Sequence, residues 1–147
     1  MAFTGNWTCD IFRLGLTAAR FDFYPPSTQV FKMALYTNEA TLDASTSAYT
    51  TDGEVVASGY TAGGNVLTPT ATYIGDVAYV SFADVSWSGA ITARGALIYR
   101  EISSSTGVIP ANTAVCVLDF GNDKTSNSTF TVTMPPNTST SALIRII

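Results

Sequence analysis

The chain has 147 residues, 46% of them hydrophobic and 12% charged, with a net charge of −4 and no histidine. This is the length of one domain with room for a real core, and the apolar content excludes intrinsic disorder. Seven scattered Lys and Arg exclude the clustered basic footprint of a nucleic-acid binder, and no apolar run approaches the roughly 20 residues that span a bilayer.

In chain order, Met1–Gly15 lacks the basic start and apolar core of a secretory signal. Residues 9–19 predict one short helix, with Ile11, Phe12, Leu14, Leu16 and Ala19 on a partial 3.6-residue stripe. Thr8 or Asp10 would cap it, and Gly15 weakens it by about 1 kcal/mol relative to Ala. Phe21, Phe23 and Tyr24 lead into Pro25-Pro26, which turns the chain. Val30–Thr37 predicts a strand. Residues 38–53 predict a long surface loop and Glu54–Ala57 a short strand. Gly59–Gly64 is a turn cluster, and Asn65–Thr72 predicts a strand that Pro69 confines to an edge or ends.

Residues Val77–Arg100 hold two apolar runs, Val77–Ala83 and Ala93–Tyr99, separated by Trp87 and a Ser88-Gly89 break. The second run scarcely alternates, as expected of a strand covered on both faces at the centre of a β core. Residues 101–113 predict a loop, Ala114–Phe120 a strand, and 121–128 a polar turn. In Thr129–Met134, Phe130, Val132 and Met134 alternate with three threonines, so the strand is half exposed. Ala142–Ile147 predicts a closing strand with Leu143 or Ile144 in the core and Arg145 outward or against a carboxylate. The whole predicts a single all-β domain, an antiparallel sandwich or barrel of the jelly-roll kind with one short N-terminal helix. Residues 1–29 form an N-terminal segment or arm and residues 30–147 the β-sandwich.

Without histidine, Ser-His-Asp and Cys-His nucleophiles and histidine metal sites are excluded. The closest carboxylate pairs are Asp52/Glu54 and Asp119/Asp123, which read as solvated turn acids rather than a glycosidase pair. Asp119-Phe120-Gly121 copies the kinase magnesium tripeptide without the rest of a kinase. Gly59–Gly64 lacks the Lys-Ser/Thr of a phosphate loop. Asn122, Asp123 and Asn127 lack the ligand spacing of an EF-hand. Cys9 and Cys116 read as reduced, apolar thiols, with a disulfide conditional on Cα atoms within about 7 Å. Sequons at Asn6, Asn127 and Asn137 read as chance matches. No enzyme, cofactor or metal is expected.

Six stretches carry a resemblance: Phe31–Thr37, Gly53–Val55, Gly59–Gly64, Phe82–Trp87, Thr92–Tyr99 and Val117–Lys124. In order and spacing over residues 30–147 the chain resembles small virion structural proteins of tailed bacteriophages, including cyanophage types. The resemblance implies a head decoration (cement) protein that binds the major capsid protein on the outer surface of the virion. It also implies self-association, as a homotrimer, after assembly in the host cytoplasm, with no nucleic acid or membrane partner. Phe3, Trp7, Phe21, Phe23 and Tyr24 are the expected interface anchors, the other reading being that they close the base of the core. Alternative roles are a tail or adaptor component and a host-glycan adhesion module.

Overall fold

The computed structural model describes residues 3–147. Its fold is all-β and antiparallel, a sandwich-like domain with one short helix. The elements are β1 (Trp7–Thr8), α1 (Asp10–Thr17), β2 (Val30–Tyr36), β3 (Asn65–Leu67), β4 (Pro69–Ile74) and β5 (Val77–Phe82). They continue with β6 (Val85–Ser88), β7 (Thr92–Glu101), β8 (Ala114–Thr125), β9 (Thr129–Val132) and β10 (Ile144–Ile146). A five-stranded sheet runs β1-β8-β7-β2-β3, a three-stranded sheet β10-β5-β4, and a two-stranded sheet β6-β9.

β7 is the middle of the largest sheet, paired along its length with β2 and with β8. Gly95 through Tyr99 are all buried, which is the two-sided cover that the unbroken apolar run predicts. By alternation, Phe31 and Tyr36 of β2 lie on opposite faces. On the first face Phe31 packs with Phe21, Phe23 and Phe82, and Phe12 joins the cluster through Phe21 and Phe23, at centroid separations of 4.5–6.5 Å. On the second, the Tyr49 ring stacks on Tyr99 at 4.8 Å, and the Tyr36 hydroxyl donates to the Thr50 carbonyl at 2.6 Å.

Parts of residues 3–29 enter this core. β1 pairs with Val117 and Cys116 of β8, and Phe12 of α1 is 1% exposed. The helix cap is Cys9 and not Thr8 or Asp10, and its side chain makes no capping bond. Asp10 instead occupies the first turn, where a carboxylate suits the positive end of the helix. Gly15 has a packing role, because a Cβ there would collide with the ring of Phe21.

The sequence leaves the partners of the two apolar runs around Trp87 open, and the runs belong to different sheets: β5 pairs with β4 and β10, not with β7. Several expectations need correction. The polar turn expected at 121–128 shrinks to Ser126–Ser128, because Lys124 and Thr125 are held in β8 by Ala93 and Thr92. Between Asp119 and Lys124 the strand bulges, with four residues opposite Arg94 alone. Glu54–Ala57 forms no strand, only an isolated bridge from Glu54 to Tyr36. The 38–53 loop is not wholly superficial, since Ala40 and Leu42 are buried in the core. The segment 65–72 splits at Thr68, and Pro69 opens β4, which is an edge strand. In β9 the expected alternation holds, with Phe130, Val132 and Met134 buried and the threonines exposed. β10 pairs with β5, Leu143 and Ile144 pack against the core, and Arg145 is exposed.

Candidate assembly surface

The three-stranded sheet has a face made only of apolar residues. Residues directly opposite on paired strands share a face. One row is Ala71–Val80–Ile144 and the next is Tyr73–Ala78–Ile146. The first row packs against the core. The second continues the same surface beyond the core into solvent, with Tyr73 at 77% and Ile146 at 53% exposure. Ile74, at the tip of the β4–β5 hairpin, is also exposed, but alternation puts it on the opposite face with Thr72. The other face carries Thr72, Tyr79 and Arg145 in one row, a mixture typical of a solvated surface. Contiguous exposed apolar surface of this kind marks an interaction site more often than scattered single residues do. No ionised side chain stands in the apolar rows.

The five expected anchors part company. Phe3 is 3% exposed and sits over Gly95, where a Cβ would strike its ring, with the Arg94 guanidinium 5.5 Å from the ring centroid. Phe23 is buried and Phe21 half-buried within the aromatic cluster. These three rings serve the core. Trp7 is partly exposed on edge strand β1, its indole Nε1–H donating to Thr4. Tyr24 is the one of the five with a mostly free ring, at 68% exposure. The surface built by β4, β5 and β10 includes none of the five. Its signal lies in Tyr73 before the Gly75 turn and in Ile144 and Ile146, but only strand pairing brings the two stretches together.

The acids resolve into separate structural roles. Glu54, expected as a solvated turn acid, is instead 8% exposed and a buried hub. Its Oε1 accepts from the Tyr60 hydroxyl and the Gly63 N–H, and its Oε2 from the Tyr49 hydroxyl, all at 2.7 Å. Tyr60 Oη accepts in turn from the Leu35 N–H, and the Tyr99 hydroxyl donates to the Gly63 carbonyl. Burial, followed by the Glu54 carboxylate, pushes the Tyr36, Tyr49 and Tyr60 phenols far up; for Tyr49 and Tyr60 the bond to Glu54 is the second cause. Tyr99 is pushed up to about 12, chiefly by burial. Asp52 is exposed and takes no part in this hub. Asp119 pairs with Arg94, whose bond holds the carboxyl below the usual range. Asp123, exposed, lies 3.5 Å from the Asn38 amide.

Among the described residues no group of three or more His, Cys, Asp or Glu side chains is placed to hold a metal ion. Cys9 and Cys116 are both buried free thiols, and Cys9 is pushed up to about 12 by burial. No described helix is long and apolar enough to cross a membrane. No protein-family model, curated protein or solved structure matches this chain.

Proposed function

We propose that the protein is a structural component of a virion, a decoration protein that seats on the major capsid protein of a tailed phage and contacts further copies of itself. The observation that carries this reading is the apolar face of β4, β5 and β10, which runs without a break from the core into solvent. A surface of that kind gains free energy at about 25 cal/mol per Å² when covered. A chain with only 12% charged residues offers little repulsion against such cover. The sequence resemblance supplies the setting and the trimeric arrangement.

The test is to add the purified protein to capsids lacking it and count copies. Decoration predicts hundreds of copies per particle, whereas a tail adaptor predicts about a dozen, following from the symmetry of each structure. Ile146→Asp and Tyr73→Asp, at exposed positions, should leave the fold intact and abolish binding. Full occupancy by both variants would reject this face as the docking surface, and a count near a dozen would place the protein on the tail.

A further inference from the structure

We infer that the groove between β8 and β9 receives an extended segment of a partner protein, which adds as a new strand along the open edge of β9. β8 and β9 are consecutive and joined only by Ser126–Ser128, yet they do not pair: β9 pairs with β6 in a separate sheet. The hairpin therefore splays. Between its arms lies a groove of about 750 Å³, with Leu118, Phe120, Phe130 and Leu143 among its walls. Every residue from Thr129 to Pro135 lines it. In a strand whose side chains alternate between faces, lining by consecutive residues means that the groove runs along the edge of the backbone.

That edge is chemically open. The Gly89 N–H donates to the Ser128 carbonyl at 2.7 Å, which sets the phase of the β6–β9 ladder. Hydrogen-bonded pairs alternate along an antiparallel ladder, so Phe130 and Val132 bond to Trp87 and Val85. The N–H and C=O groups of Thr129, Thr131 and Thr133 then point away from β6, and none has a backbone partner among the described residues. Sheet edges of this kind are normally covered, charged or twisted away. Here the edge faces a groove whose far walls mix apolar Leu118, Phe120 and Leu143 with polar side chains, which is the arrangement that strand addition uses: backbone bonds for affinity, side-chain pockets for selectivity.

The lining also states the chemistry of the occupant. Five edge residues, Thr129–Thr133, span about 17 Å at 3.4 Å per residue, so a segment of five to seven residues fills the site. Alternate apolar side chains would meet Leu118, Phe120 and Leu143. Of the two charged residues in the lining, Asp119 is neutralised by Arg94, whereas Lys124 near the Ser126 turn forms no ion pair among the described residues. The segment therefore carries a carboxylate at the Lys124 end. This inference goes beyond the capsid reading and does not need it.

The experiment uses the peptide acetyl-EVTVTVT-amide as probe, with acetyl-KVTVTVT-amide as its charge control. Amide hydrogen exchange at Thr129, Thr131 and Thr133 should slow at least tenfold with the first peptide. Thr131→Pro removes one outward N–H at an edge that tolerates proline and should weaken binding at least tenfold. Lys124→Glu leaves the backbone untouched and should reverse the preference between the two peptides, so the test survives a folding defect in the proline variant. The inference is overturned if millimolar peptide slows none of the three amides, or if both variants bind as the native chain does. It is also overturned if the amides become protected merely on concentrating the protein, which would make a second copy the occupant. Protection by an oligosaccharide but not by peptide would make the groove a glycan site. Because the probe contains no capsid component, failure here leaves the decoration proposal standing, and the reverse holds too.

Discussion

β7 and the β4–β5–β10 sheet are built from the same kinds of residues and meet opposite fates. Ala96, Leu97 and Ile98 are wholly buried between two aromatic layers. Tyr73, Ile74, Ile146 and Ile147 are at least half exposed. Strand formation is not what separates them, since both regions form antiparallel ladders. What separates them is whether another layer lies opposite. A covered face contributes to folding, and an uncovered one keeps its free energy for association.

Substitutions should sort along that line. The largest loss is expected at the core: Leu97→Ala should destabilise by about 3–5 kcal/mol, read as a fall in the denaturation midpoint at constant m-value. A loss below about 1 kcal/mol would mean that β7 is not the centre of the fold.

Glu54→Ala should follow at about 3 kcal/mol, because one buried and two part-buried donors lose their acceptor. The phenols around it supply a pH test. Their folded pKa values lie above the ordinary value near 10. The associated stability is complete below pH 10 and is lost as pH rises through the folded values. Phenolate absorbance of this group should therefore appear above pH 12, together with unfolding, and at lower pH in Glu54→Ala.

Asp119→Asn should cost about 1–3 kcal/mol, since it removes a part-buried charge-assisted bond to Arg94. The folded pKa of Asp119 is depressed, so its contribution is present above the unfolded value near 3.9 and is lost as pH falls through the folded one. The native protein should lose more stability on acidification below pH 4 than the Asn variant does, by thermal melting. The smallest effect on folding is expected on the open face: Tyr73→Ser should change stability by no more than about 0.5 kcal/mol and yet reduce self-association or capsid binding. If it destabilised as much as Leu97→Ala, the face would be covered within the domain.

Much of this was legible in the chain. β2, β7 and β9 could be read from their apolar patterns, α1 from its stripe before Pro25-Pro26, and β10 from its apolar end. These signals are local: periodicity, turn residues and propensity act over a few neighbours, and the sequence alone determines them. Which strands pair is not local. The separation of β5 from β7, the burial of Glu54 beneath Tyr49 and Tyr60, and the opening between β8 and β9 depend on contacts between residues far apart in the chain. Phe3 and Tyr73 show the same limit. Both are aromatic residues in short apolar stretches, and only the space left by Gly95 makes one a core residue, while the overhang of the hairpin leaves the other in solvent. The sequence by itself determined an all-β chain with a dry centre and little charge. Tertiary structure alone decided which apolar residues were left uncovered, because burial depends on what lies opposite a strand.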